Sequence, residues 1–175
     1  MKRFYILMMV ILAAPMLLIA QTNKPTKAQT EAHIKQWFDP ERKSYFNQPD
    51  FTQVVKIKVN ESKVEFIKNT IVKYNDYSTI DTTSCSIDLS KIEKIEYGLN
   101  EMESCLWRYC YYLQFTCSPG VKCCSINGEL SNSHAIYMHT ATEKEPKFEE
   151  SLGTLVKAFN HLRKLHGAPD PISFD

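Results

Sequence analysis

The chain has 175 residues, with 21 Lys+Arg against 20 Asp+Glu, 43% hydrophobic and 11% aromatic residues, 8 Pro, 5 Gly and 6 Cys. At about 150 residues per domain, this length fits one compact unit with a substantial core, which does not need six cysteines in order to fold. The near-balance of charge, with no long block of one sign, excludes a phosphate-tracking surface, and nucleic acid is not expected as a partner.

Residues 1–20 (MKRFYILMMVILAAPMLLIA) carry two early basic residues, an apolar run from Phe4 to Ile19 broken by Pro15, and small residues near the end. The pattern predicts a secretory signal peptide cleaved after Ala20, rather than an uncleaved anchor, because a spanning helix needs about 20 apolar residues without such a break. No Cys follows the run, which removes a lipid anchor at a new N-terminus, and the mature chain is expected to hold no transmembrane span. Loss of Lys2 and Arg3 leaves 19 basic against 20 acidic residues. The short signal ending in Ala-Gln has a bacterial look and points to the periplasm or the exterior.

From Thr26 to Phe38, Thr26 and Gln29 form a capping-box pattern, and Ile34, Trp37 and Phe38 share one helical side. Asp39-Pro40 stops this helix, and 39–50, rich in turn formers, reads as a loop. A period of two follows. Phe51–Val59 and Lys63–Tyr74 predict a hairpin turning at Asn60-Glu61-Ser62; Tyr77–Leu89 and Ile92–Tyr97 predict a third and fourth strand. The link at Asp88–Lys91 is too short for a parallel crossover, and the sheet is expected to be antiparallel.

In Cys105–Cys117 the odd positions (Cys105, Trp107, Tyr109, Tyr111, Leu113, Phe115, Cys117) form the inward face and the even ones, including Leu106, Cys110 and Tyr112, the outward face. Ser118-Pro119-Gly120-Val121 predicts a type II turn, with the chain returning as Lys122–Asn127 and pairing 117 with 122, 115 with 124 and 113 with 126. Ser133–Thr140 is the last strand, after a polar turn at Glu129–Asn132. From Thr142 the period returns to 3.6. Phe148, Leu152, Leu155, Phe159 and Leu162 mark a helix from Pro146 to about His166, capped by Gly167. The expected division is a signal peptide (1–20), an N-terminal helix and loop (21–50), a sheet-plus-helix domain (51–167) and a flexible tail (168–175).

An even number of cysteines in an exported chain predicts disulfides, although some could be small buried apolar residues. Strand parity makes Cys117–Cys124 the first choice, with Cys117–Cys123 the outcome of a one-residue bulge, and Cys85–Cys105 the second choice. Cys110 and Cys123 are left with outward phase, and adjacent Cys123 and Cys124 should face opposite sides. A zinc site from Cys117, Cys123, Cys124, His134 and His139 is not expected: five residues separate the first two cysteines, and the odd spacing of the histidines puts them on opposite faces. No metal or cofactor is predicted. Tyr112 and Leu106 have outward phase, and with Tyr137 they could form an apolar patch for a partner.

The segment Ile87-Asp88-Leu89-Ser90-Lys91-Ile92-Glu93-Lys94-Ile95 resembles the Leu-x-x-Ile-x-x-Ile corner of bacterial PH-like and GRAM-like domains, and Leu155–Leu162 is similar to the last helix of small secreted bacterial domains of that kind. This resemblance, over about 26–167, implies an α+β fold: a curled antiparallel sheet of six or seven strands with a short N-terminal helix and a C-terminal amphipathic helix packed on it. It also implies a binding or scaffolding role and transfers no catalytic residues. The first hairpin turn, with Glu61 and a single neighbouring Lys63, does not match a phosphoinositide site. No Gly-x-Ser-x-Gly elbow, His-Glu-x-x-His helix or Gly-rich phosphate loop is present, and an enzyme is not expected. The expected function is an exported, non-enzymatic binding module whose partner is a protein or a small apolar ligand. The alternative is a small-molecule carrier with an aromatic cavity between sheet and helix, drawing on Tyr97, Trp107, Tyr109, Tyr111, Tyr112 and Phe115.

Overall fold

The computed structural model describes residues 24–38, 46–48, 51–73, 77–101 and 108–169. The segment 1–20 read as a signal peptide, Cys105, Leu106, Trp107 and the end of the tail lie outside these.

Helix α1 (Lys27–Trp37) begins as the sequence predicts. The Gln29 backbone N–H donates to Thr26 Oγ1 (3.3 Å) and the Thr26 N–H to Gln29 Oε1 (2.9 Å), which satisfies two orphan donors reciprocally. Ile34, Trp37 and the C-cap residue Phe38 are buried.

Nine antiparallel strands are described, in two sheets, where one curled sheet of six or seven was expected. The larger sheet runs β1 (Phe46–Gln48), β2 (Phe51–Asn60), β3 (Lys63–Lys73), β4 (Ser78–Asp88), β7 (Cys124–Ile126), β8 (Glu129–Ser131). The smaller runs β5 (Ile92–Glu101), β6 (Tyr109–Cys117), β9 (Ser133–Ala141). β1 falls in the segment read as a loop and pairs with the start of β2. The β2–β3 hairpin turns through Glu61-Ser62, with Glu61 at φ 51°.

Between β4 and β5 the chain changes sheet through a single 3-10 turn, Leu89–Lys91, whose N-cap Asp88 accepts from the Ser90 N–H (3.2 Å) and from the Ser90 hydroxyl (2.7 Å). Burial alone would raise the Asp88 carboxyl, but these bonds, together with those from Lys91 and Ser62, outweigh it and hold the group below its ordinary range. Leu89, Ile92 and Ile95 of the corner motif are all buried.

The predicted pairing of β6 with the segment after the Pro-Gly turn is overturned. The turn itself forms: the Val121 N–H donates to the Ser118 carbonyl (3.0 Å) and Gly120 sits at φ 74°. A type II turn, however, splays the strands it joins rather than continuing their twist. Both sides of β6 are taken by β5 and β9, and β7 pairs instead with β4, Ile87 opposite Cys124. The chain then reverses at Asn127-Gly128 (φ 49° and 92°) into β8, where a polar turn at Glu129–Asn132 was expected.

Helix α2 (Pro146–Leu165) ends in a Schellman motif: Ala168 N–H donates to the Arg163 carbonyl (3.1 Å) and Gly167 N–H, at φ 79°, to that of Lys164 (3.0 Å). Its apolar stripe of Leu152, Leu155, Phe159 and Leu162 is fully buried. At the centre, Phe66 of the large sheet meets Phe115 of the small sheet (5.7 Å between centroids), Phe159 of α2 (6.2 Å) and Phe38 after α1 (5.5 Å). Arg163, 1% exposed, ties the helix down: Nε donates to Asn160 Oδ1 (2.8 Å), and a terminal nitrogen to the carbonyls of Ile92 (2.9 Å) and Pro169 (2.6 Å).

Candidate functional site

Two features lie side by side at the junction of the sheets: a cluster of sulfurs and a cleft beside strand β9. The sulfurs sit where the chain passes from β6 to β7. Cys117, the last residue of β6, is disulfide-bonded to Cys123, with Cα atoms 5.7 Å apart. The first-choice partner, Cys124, instead keeps a free thiol whose Sγ stands 3.9 Å from that of Cys117 and 4.0 Å from that of Cys123. Opposite facing for Cys123 and Cys124 is also overturned. Strand alternation does not govern Cys123, because β7 begins only at Cys124, and both side chains turn inward.

Cys85 is a free buried thiol, and Cys105, the partner read for it, lies outside the described residues. Cys85 stands opposite Ile126 while Cys124 stands opposite Ile87, making the two thiols diagonal neighbours on one face. Burial pushes the Cys85 thiol up to about 12, with the Cys124 charge adding to it, and burial pushes Cys124 up to about 11. Cys110, assigned outward, is buried and free, and its thiol is also raised by burial.

Cys85 also lines the cleft, a cavity of about 150 Å³. Val55 of β2, Phe66 and Lys68 of β3, and Thr83 and Cys85 of β4 form one wall, and His134–Tyr137 of β9 the other. Register explains the first wall: Phe66 lies opposite Cys85 and Lys68 opposite Thr83, two residues further along the same face. At the mouth, burial and then the positive charge of Lys68 lower the pKa of His134, which favours the neutral imidazole.

β9 carries an irregularity that the sequence did not announce. Tyr112 pairs with Tyr137 and Tyr111 with His139, leaving Met138 as the extra residue of a bulge. The bulge resets the parity, so His134, opposite Phe115, and His139, opposite Tyr111, face the same side and not opposite sides. Four ladder positions, or roughly 14 Å, still separate them. His139 stacks on Tyr111 (6.1 Å, 17°) and its Nε2 lies 3.1 Å from Glu145 Oε1. The Tyr111 hydroxyl accepts from the Glu145 N–H (2.7 Å) and donates to Glu149 (3.3 Å), which anchors the start of α2.

The tyrosine patch forms in part. Tyr112 and Tyr137 meet edge-on at 6.2 Å, with Tyr137 48% exposed. Tyr112 lies across Gly98, its register partner, where an added Cβ would fall 2.3 Å from the ring. A wider, shallower hollow of about 390 Å³ separates α1 from α2, with the exposed side chains of Gln29 and Lys157 on its rim.

Comparison with protein-family models, curated proteins and solved structures returns no match to this chain. Among the described residues, no helix is long and apolar enough to cross a membrane.

Proposed function

We propose that the chain is an exported, non-enzymatic binding module of PH-like build, and that it takes an extended segment of a partner protein along strand β9. The observation that carries this reading is the double position of Tyr137: exposed itself, it meets the half-buried Tyr112 ring edge-on and also lines the inter-sheet cleft. β9 is an edge strand, paired only with β6 among the described strands, and an edge of this kind accepts a further strand through backbone hydrogen bonds, with pockets for alternate side chains giving specificity. Size favours a side chain over a carried molecule. Small-molecule pockets span roughly 300–1,000 Å³, whereas a cavity of about 150 Å³ holds something the size of one aromatic ring.

A carrier would use the layer between sheet and helix, but there Phe115 and Phe159 (5.4 Å) and Tyr111 and Phe148 (5.2 Å) are in ring-to-ring contact. Thiols raised by burial run opposite to what a cysteine nucleophile needs, which supports a non-enzymatic role. The signal-like N-terminus and the Leu89, Ile92, Ile95 corner support the exported and PH-like parts of the reading.

The test is site-specific photocrosslinking in the exported fraction, with the probe at Tyr137 and, as a control, at Leu130, which is 62% exposed on β8 of the other sheet. A discrete adduct from position 137 that is absent at 130 and lost on Tyr112→Ala in the same chain is expected. Equal labelling from both positions, or an adduct indifferent to Tyr112→Ala, removes the basis for β9 as the docking strand.

A further inference from the structure

We propose that the reduced chain holds one zinc ion on the sulfurs of Cys117, Cys123 and Cys124. The three sulfurs lie within 4.8 Å of one another and all three residues are buried. A zinc ion with Zn–S bonds of about 2.3 Å in tetrahedral geometry requires its sulfurs to lie about 3.8 Å apart. Cys124 already stands at 3.9 and 4.0 Å from its two neighbours, so opening the one sulfur–sulfur bond completes the triangle with little backbone movement.

The backbone is held without help from that bond. The Cys117 N–H donates to the Asn132 carbonyl (2.9 Å), the Asp88 N–H donates to the Cys123 carbonyl (3.0 Å), and Cys124 is paired with Ile87 on one side and Ser131 on the other. The two stretches that carry the cysteines, the end of β6 and the start of β7, are thus each anchored by backbone bonds, and reduction leaves their approach in place. The Cys123 N–H also donates to Cys117 Sγ (3.0 Å), a bond that favours a thiolate at that sulfur. Burial resists a bare thiolate at Cys124, and a cation resting on the three sulfurs relieves that penalty. Cys85, diagonal to Cys124 on the next strand, is the nearest described thiol from which a fourth ligand could come; otherwise that position takes water.

The chemistry balances in two steps. A thiol reductant gives two electrons and two protons to the Cys117–Cys123 bond, becomes a disulfide itself, and leaves two thiols. Zinc then displaces three protons from Cys117, Cys123 and Cys124 and forms three Zn–S bonds. Oxidised, the same sulfurs make a disulfide and a neutral thiol, and the two states exclude each other.

The experiment uses the full chain, reduced anaerobically with a phosphine and titrated with Zn²⁺ against a chromogenic chelator, with Co²⁺ as a spectroscopic substitute. One equivalent bound, a thiolate-to-cobalt charge-transfer band, and loss of both in Cys124→Ser are expected, while Cys110→Ser keeps them. A cuprous titration checks the choice of metal: the proposal stands if zinc binds at one equivalent and fails if only Cu⁺ does. A reduced chain that keeps its native circular dichroism yet binds no zinc overturns the site, as does zinc binding of equal affinity in the disulfide-bonded chain or in Cys124→Ser.

Discussion

Replacing Cys117 and replacing Cys123 should have different consequences, although both are partners in one bond. The Cys117–Cys123 disulfide spans a sequence separation of six, which in the chain-entropy estimate stabilises the fold by about 2.3 kcal/mol. Cys117→Ser removes it outright. The remaining Cys123 and Cys124 are adjacent in sequence and poorly placed to bond each other. Cys123→Ser leaves Cys124, whose sulfur is already 3.9 Å from that of Cys117 at a sequence separation of seven, and the estimate for the replacement loop is nearly the same, about 2.5 kcal/mol. Under oxidising conditions Cys117→Ser should therefore lower the urea midpoint by about 1 M, taking a slope near 2 kcal/mol/M, while Cys123→Ser should stay within about 1 kcal/mol of the parent. Reductant should bring parent and Cys123→Ser down towards Cys117→Ser. Peptide mapping without reduction, in acid to prevent exchange, should find a 117–124 crosslink in Cys123→Ser. Equal losses in the two variants, with no such crosslink, would refute the claim that Cys124 is poised beside the bond.

Three further outcomes follow from the same geometry. Arg163→Ala removes a buried guanidinium and leaves the Ile92 and Pro169 carbonyls without that donor; a loss of about 3 kcal/mol or more is expected in urea unfolding, against a small change for the exposed Lys164→Ala. His134 and His166 both have pKa values lowered first by burial, then by Lys68 and Lys27 respectively, so the unfolded chain binds more protons than the folded one just below the free-histidine value of 6.5. Their contribution to stability is present above that pH and is lost as pH falls through the depressed folded values; His134→Asn should flatten the slope of stability in that window, as read by thermal melts across pH. Gly98→Ala places a methyl group where the Tyr112 ring lies; the fold should persist while ring-to-ring nuclear Overhauser contacts between Tyr112 and Tyr137 disappear.

Local signals in the sequence located most elements. The Thr26/Gln29 cap, the α2 stripe and the terminating Gly167 are each decided within a few residues, and all stand as read. What local signals could not settle was which strand lies beside which. Pro119-Gly120 correctly announced a turn, but whether a turn makes a hairpin depends on who else claims the strand edge, and β5 and β9 claim both edges of β6. Once that pairing is lost, the parity argument for Cys117–Cys124 loses its footing. Asn127-Gly128 was the missed signal: the dipeptide favours a two-residue hairpin and would have drawn β8 out of the polar segment after it. The bulge at Met138 left no such trace, because an extra apolar residue in a strand buried on one face looks like ordinary alternation slipping by one. The burial of Cys110, opposite Asn100 and Thr140 at the start of β6, likewise departs from period two without a sequence cue.

The two edges of the small sheet are treated differently, and this bears on where a partner can sit. On the β5 side, Arg163 and Asn160 of α2 donate to the carbonyls of Ile92 (2.9 Å) and Ile95 (3.3 Å), occupying acceptors that an added strand would need. The β9 side has no such helix bond among the described residues and opens onto the cleft. At the junction, backbone bonds from Asp88 to Cys123, Ser118 to Lys91 and Cys117 to Asn132 each extend a ladder within one sheet by one residue, and the disulfide joins the end of β6 to the residue before β7. The cleft opens between β9 and the large sheet. The bulge sets its length. Regular pairing with β6 runs from Ser133 to Tyr137 and breaks at Met138, so an added strand finds an even ladder over about five residues, roughly 17 Å. Within that stretch Ala135 and Tyr137 alternate with His134 and Ile136 along the cleft wall. On the binding reading, a partner segment is short, extended, and carries one apolar side chain at the position that meets the cleft.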